Sequence, residues 1–335
     1  MKKQLLMLIL AGHVLVAQAG EPVAHHRGHA KHSHAAHTKT HVKHTHAVHA
    51  KQLHAAHVKQ THQVHARAEQ ERFAKVSYRH EATPQLRSSI ALIYDEDLQS
   101  PLYTKNPDAV APIASITKLM TAMVVLDSHP DLNEELSVDV ADMDSLKGTH
   151  SRLGVGTTFT RSEMLKLALM SSENRAAAAL ARNYPGSTHA AVAAMNAKAR
   201  ELGMTNTTFR DPTGLNSENV STARDLVKMV AAARHYALIR EYTTTATHLV
   251  EGARGRELRF NNTNPLVKSD SWDIGLSKTG YISEAGRCLV MQARIDQRPV
   301  IIVLLDSVGK STRVGDANRV KKWIEAVGPS ETRRF

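Results

Sequence analysis

Apolar positions are sparse before Ser88, apart from a short run at the start of the chain. From Ser88 onward they recur with periods that alternate between strand and helix. "SSIALIY" (88–94) and "PLYTKN" (101–106) flank the acidic turn "DEDLQ" and predict a strand pair. In "IASITKLMTAMVVLD" (113–127), Ile116, Leu119, Met120, Met123 and Val124 fall at i, i+3, i+4, i+7 and i+8, so the spacing predicts a helix. Ala122, Val125 and Leu126 fill much of its other side, which marks it as buried. Pro112 suits its first turn or approach. The segments 161–172, 175–184, 189–203 and 221–237 also read as helices, the third closed by Gly203 and the last capped by Ser221 or Thr222. Strand-like runs follow at 274–281, 287–295 and 299–306, and "DANRVKKWIEAV" (316–327) ends the pattern as a helix. Early strands, a helical middle and late strands predict an α+β fold: one antiparallel sheet closed by both ends of the chain, flanked by helices, with a mainly helical subdomain.

The first 19 residues break this pattern. Lys2 and Lys3 precede an apolar stretch from Leu5 to Ala17, and Ala17-Gln18-Ala19 supplies small residues at cleavage spacing. This reads as a secretory signal peptide cut after Ala19, since the stretch is short for a membrane span. No cysteine follows the cut, and no later run is long enough to span a bilayer, so membrane association is peripheral or none. The lone cysteine, Cys288, cannot form an internal bridge, and its strand-like setting reads as a small buried apolar residue.

Residues 20–75 form a His/Lys-rich linker. Fourteen histidines lie between His25 and His65 with no acidic residue, a composition that cannot bury a core. Three readings stay open for it: a solvated spacer, weak metal binding through His25, His26, His29, His32, His34 and His37, or a tail that becomes cationic in mild acid and holds an anionic envelope. The net charge of +11 sits mostly here, because residues 1–68 hold nine lysines and arginines against Glu21 alone. The remainder, a domain over 76–328 with a short tail at 329–335, is close to neutral. An exported chain with 4% aromatics and no binding motif is not read as a nucleic-acid partner.

Candidate chemistry starts with the one lysine in the apolar helix. Ser115 and Lys118 are three apart and share a face near the helix start, where free amides and the positive dipole end gather. A serine hydroxyl needs a base, and a lysine serves as one only when burial or a second cation keeps it neutral. Ser-x-x-Lys alone is weak, since a chain of this length carries about one by chance. A second copy, Ser307 to Lys310, contains glycine and reads as a loop. The first copy gains weight from Ser172-Glu173-Asn174, between two helical runs, and Lys278-Thr279-Gly280, inside a strand. Another Ser-x-Asn, Ser217-Glu218-Asn219, follows "DPTGL" and reads as a loop and cap element.

Ser-x-x-Lys, Ser-x-Asn and Lys-Thr-Gly in this order resemble the penicillin-recognising serine DD-peptidases and β-lactamases. "APIASITKLMTAMVVLD", "LALMSSENRAAAALAR", "DPTGLNSENVSTARDL" and "DANRVKKWIE" narrow the resemblance to the penicillin-binding protein 7 type D-alanyl-D-alanine endopeptidases, over roughly residues 88–327. The histidine-rich segment is not part of that family pattern. The resemblance implies the β-lactamase/DD-peptidase-like fold, a periplasmic location, peptidoglycan peptides as substrate, β-lactams as inhibitors, and no metal or cofactor in the catalytic site. It implies Ser115 as nucleophile, Lys118 as its base and Ser172 as proton relay. Asn174, Lys278, Thr279 and Gly280 would bind substrate, and the backbone amides of Ser115 and Tyr281 would form the oxyanion hole. A carboxypeptidase is the near alternative. A class A β-lactamase fits poorly, because its nearest Glu–Asn pair, Glu257 and Asn261, lies too close to Lys278. A non-catalytic metal- or wall-binding protein would not need all three motifs intact.

Overall fold

The computed structural model describes residues 83–252 and 255–331. The signal peptide reading (1–19), the histidine-rich stretch and residues 332–335 of the tail lie outside the described residues.

The strands, in chain order, are β1 (Ile90–Asp95), β2 (Ser100–Lys105), β3 (Ala111–Pro112), β4 (Glu135–Ser137), β5 (Thr158–Thr160), β6 (Val220–Ser221), β7 (Thr247–Glu251), β8 (Glu257–Asn261), β9 (Asp273–Ile282), β10 (Gly286–Ile295) and β11 (Arg298–Ser307). The helices are α1 (Thr117–Asp127), α2 (Arg161–Met170), α3 (Asn174–Arg182), α4 (Ser187–Glu201), α5 (Ala223–Ala233), α6 (Ala237–Thr244) and α7 (Thr312–Glu331). Among the described residues the main sheet has the order β2-β1-β11-β10-β9, and each of its neighbours is antiparallel. The early and late strands therefore meet in one sheet, as the strand pattern predicts: Leu92 pairs with Val303 and Ile93 with Ile302.

Alternation along the strands sorts the core into two sides. Ile90, Leu92, Val290, Ile301, Val303 and Leu305 pack with the helical part, around α1 to α6. Ala91, Ile93, Met291, Val300, Ile302 and Leu304 pack with Ala317, Val320 and Ile324 of α7. Because both faces are covered, the central strands read as nearly unbroken apolar runs. α1 is buried along most of its length, from Thr117 to Val125. No helix among the described residues is long and apolar enough to cross a membrane.

The expected helix over 221–237 is two. α5 is capped by Thr222, whose hydroxyl accepts from Asp225 N, and stops at Ala233, while α6 starts at Ala237. The expected terminal helix is longer than 316–327, and it runs on from Thr312 to Glu331, into the segment read as a tail. Beyond the sequence reading, β7 and β8 form an antiparallel hairpin, and β4 pairs with β5.

Candidate active site

Ser115 lies in a 3-10 turn, Ala114–Ile116, that leads directly into α1. The continuous helix expected from 113 is thus a tight turn followed by an α-helix, and Lys118 falls in the first turn of that helix. Lys118 is 1% exposed. Its Nζ lies 2.8 Å from Ser115 Oγ, 2.8 Å from Asn174 Oδ1 and 2.6 Å from the Thr213 carbonyl oxygen. Those three partners suit a neutral amine. Two N–H groups can donate to the two carbonyl oxygens, and the lone pair then faces the serine hydroxyl. Burial pulls Lys118 from 10.5 down to about 7, against the opposing pull of the Asp211 and Glu173 carboxylates.

Ser172 occupies the bend between α2 and α3. α2 ends at Met170, not at 172, and Ser172 itself takes a left-handed backbone (φ 63°) that turns its side chain out of the helical path. Ser172 Oγ accepts from Lys278 Nζ at 2.9 Å. Lys278, on β9, is as buried as Lys118, and its Nζ also donates to the Thr279 carbonyl. Burial first, then the charges of Lys118 and Arg313, press Lys278 well below its ordinary value. Asn174 opens α3; its oxygen accepts from Lys118, and its Nδ2 donates to Thr149 Oγ1 at 3.0 Å. Thr279 Oγ1 donates to Thr263 Oγ1 at 2.7 Å.

Gly280 joins the two halves. A β-carbon there would come within 3.0 Å of Ala114 Cβ, the Ile113 carbonyl oxygen and Ser115 N. The edge strand β9 therefore lies against the turn that carries the serine, at a spacing a β-carbon would crowd. Gly280, expected from the resemblance as a substrate-binding position, thus also packs against the serine's turn. Tyr281 is 55% exposed, with the Arg287 guanidinium 4.4 Å from its ring centre. Contacts thus link Ser115, Lys118 and Asn174 in one network and Ser172, Lys278 and Thr279 in a second, with Gly280 at the seam.

Several supports carry no local sequence signal. The Asp211–Asn219 loop, read as a loop and cap, positions the Thr213 carbonyl against Lys118. Asp211 Oδ1 accepts from the amides of Thr213 and Gly214, and Oδ2 accepts from Asn216 N. Asn219 is fully buried; its oxygen accepts from the amides of Arg210 and Asp211, and its Nδ2 donates to Thr117 Oγ1 and to Asp211. Ser217-Glu218-Asn219 is therefore scaffolding for the serine's helix. Arg313 of α7 donates to the Gly280 carbonyl at 2.9 Å, which places a second cation beside Lys278. Thr263 N donates to the Met170 carbonyl, tying the end of α2 to Thr279 through Thr263. Ser307 of the second Ser-x-x-Lys is buried against Ser88 Oγ at 2.7 Å. Cys288 is buried, and desolvation pushes its thiol up to about 11. Glu257 and Asn261 lie on β8.

The family described as D-alanyl-D-alanine carboxypeptidase matches residues 77–309. A D-alanyl-D-alanine endopeptidase of Pseudomonas aeruginosa is 50% identical over 242 residues, 72% of this chain and 78% of that protein. Its namesake in Escherichia coli is 49% identical over 243 residues, with the same coverage of 72% and 78%. Among solved structures, the Streptomyces DD-transpeptidase is similar with a TM-score of 0.66 at 31% identity, covering 72% of this chain and 98% of that one. A D-alanyl-D-alanine carboxypeptidase of Mycobacterium tuberculosis gives a TM-score of 0.66 at 29% identity, with 74% and 94% covered.

Proposed function

The chain belongs to the D-alanyl-D-alanine carboxypeptidase family, and on that premise we propose that it is a serine D-alanyl-D-alanine endopeptidase that opens peptide cross-links in peptidoglycan. The observation that carries this reading is the 2.8 Å approach of the buried Lys118 Nζ to Ser115 Oγ, beside a second buried lysine on Ser172. The near-50% relatives named endopeptidase support the cross-link as substrate over the terminal D-alanine.

In this reading neutral Lys118 takes the Ser115 proton as Oγ attacks the carbonyl carbon of a penultimate D-alanine. The backbone amide of Ser115 lies beside Gly280, next to Tyr281, and the two amides receive the developing oxyanion. The C–N bond then breaks. Ser172, held by Lys278, passes a proton to the leaving amine, and Arg313, on the Gly280 carbonyl beside Lys278, supplies the positive charge that suits a substrate carboxylate. Asn174 fixes Lys118 and presents its amide to the substrate, and Thr279 contacts the substrate's carboxylate. Water releases the acyl group and restores Ser115. A β-lactam follows the same first step, since its strained amide carbonyl is opened by the same hydroxyl.

The opening Met1–Ala19 supports export, and we place the enzyme in the periplasm, with the histidine-rich segment as spacer, metal binder or envelope contact. Digestion of purified muropeptides tests the reaction. Loss of cross-linked dimers with wild type, and none with Ser115→Ala, is expected. Release of free D-alanine with dimers intact would make it a carboxypeptidase, and rapid repeated turnover of nitrocefin would make it a β-lactamase.

A further inference from the structure

The segment from Met143 to Leu153, between the Val140–Asp142 turn and β5, is docked against the site through its later half, Thr149 to Leu153. Thr149 Oγ1 accepts from Asn174 Nδ2, Ser151 Oγ donates to Glu173 Oε2 at 2.7 Å, and Arg175 donates to the Leu153 carbonyl. Arg152 packs over the Phe260 ring at 3.9 Å. Ahead of these anchors Asp144 accepts from the amides of Leu146, Lys147 and Thr149, which fixes the bend that presents Lys147. Lys147 Nζ then reaches Glu284 Oε1 at 2.5 Å, in the turn between β9 and β10.

Glu284 stands four residues past Gly280, in the turn just beyond the edge strand that carries Lys278 and Thr279. The ion pair therefore spans from the helical part of the fold to the sheet. An extended peptide that adds itself along β9 at Lys278–Tyr281 runs toward that bridge. A compact ring at Ser115 does not have to reach it. The pair is exposed on both sides, Lys147 at 28% and Glu284 at 41%, so it forms a weak contact that can break and re-form. Ser283 Oγ donates to the other Glu284 oxygen at 2.8 Å and holds the carboxylate toward the strap.

We propose that Lys147 and Glu284 form a latch across the mouth of the site, a pair that selects substrates by size: it limits access of long cross-linked peptides and leaves small acylating molecules unhindered. This rests on the endopeptidase reading for its large substrate. The latch itself acts by opposition of charge, so position matters and the identity of each partner does not. Neither residue touches Ser115, Lys118 or Lys278 in the contacts above, so the reaction at the serine is left intact when the pair is altered.

Charge reversal with rescue tests it. Lys147→Glu and Glu284→Lys each set like charges opposite one another, and the double variant restores an attractive pair. For all four proteins, acylation by a fluorescent penicillin reports the small substrate, and loss of a cross-linked muropeptide dimer reports the large one. The expected result is a ratio of dimer cleavage to penicillin labelling raised at least threefold in each single variant. In the double variant it returns to within twofold of wild type. A ratio unchanged in the single variants, or one that falls because the pair helps hold the dimer, overturns the latch. A rise that the double variant does not reverse overturns it too, since repair of the charge pair is the whole proposal. Labelling by penicillin without any dimer cleavage in all four proteins counts against the endopeptidase reading instead, and moves the large substrate to an extended linear peptide for the same comparison. In that comparison the same threefold rise and rescue are required.

Discussion

Gly214 passes so close to Ala114 that a β-carbon on it would overlap the Ala114 carbonyl and come within 2.8 Å of Ser115 N. Its backbone is also left-handed, with φ at 83°. The loop that supplies the Thr213 carbonyl to Lys118 and the turn that carries Ser115 are thus locked together at one hydrogen-sized position. Gly214→Ala is expected to destabilise the protein by about 1–2 kcal/mol through the backbone alone, with about 1–3 kcal/mol more from overpacking. Thermal unfolding measures the first effect, and penicillin acylation falling at least tenfold would show that the serine turn has moved.

The pH dependence of acylation follows from Lys118. With the neutral amine as the base, as proposed above, the rate rises with pH as Lys118 loses its proton. Because burial lowers that step from 10.5 to about 7, the rise is expected around pH 7, not above pH 10. Below it, the rate should fall about tenfold per pH unit. Stopped-flow or quenched labelling with a penicillin between pH 5 and 9 reads this directly.

Glu173 separates charge from scaffold. Its carboxylate accepts from Ser151, and its negative charge favours the protonated form of Lys118. Glu173→Gln keeps a hydrogen-bond acceptor for Ser151 and removes the charge. Lys118 should then lose its proton more readily, and the acidic limb of the acylation profile should move to lower pH. A shift to higher pH would contradict the assigned sign.

Asn219 serves as a fully buried junction for the amides of Arg210 and Asp211, for Thr117 Oγ1 and for the Asp211 carbonyl. Asn219→Ala leaves several of these groups without partners at about 1–3 kcal/mol each before relaxation. A loss of at least about 2 kcal/mol in denaturant unfolding is expected, together with weaker acylation as the Thr213 carbonyl leaves Lys118.

Cys288 should be inert in the native protein. Its thiol is buried, donates to the Ala285 carbonyl, and is pushed up to about 11. Ellman's reagent is expected to react with it only after unfolding, and the same assay follows unfolding in the variants above.

Much of this site is legible in one sequence because its chemistry rides on short-range spacing. Ser115 and Lys118 are one helical turn apart, and their apolar neighbours announce the burial that pulls the lysine down to about 7. The central strands of the main sheet are apolar on both faces, so their runs stand out. Residues whose role depends on distant partners give no such sign. Arg313, ahead of the expected terminal helix, carries no mark until α7 brings it to the Gly280 carbonyl, and Thr263 carries none until it meets Thr279. The break between α5 and α6 has no proline or glycine to mark it. There Arg234 pairs with Glu96 and Tyr236 Oη donates to Asp127, so tertiary contacts override a helix-prone run. The left-handed Ser172 is equally silent, because serine does not advertise that conformation.

The central claim is that Ser115, activated by a neutral Lys118, is the nucleophile. Intact-protein mass spectrometry after brief exposure to benzylpenicillin, followed by digestion, tests it most directly. A single adduct of the inhibitor's mass on the peptide carrying Ser115, absent in Ser115→Ala and in Lys118→Ala, is the predicted result. An adduct on another residue, or one that survives in Ser115→Ala, would contradict the account.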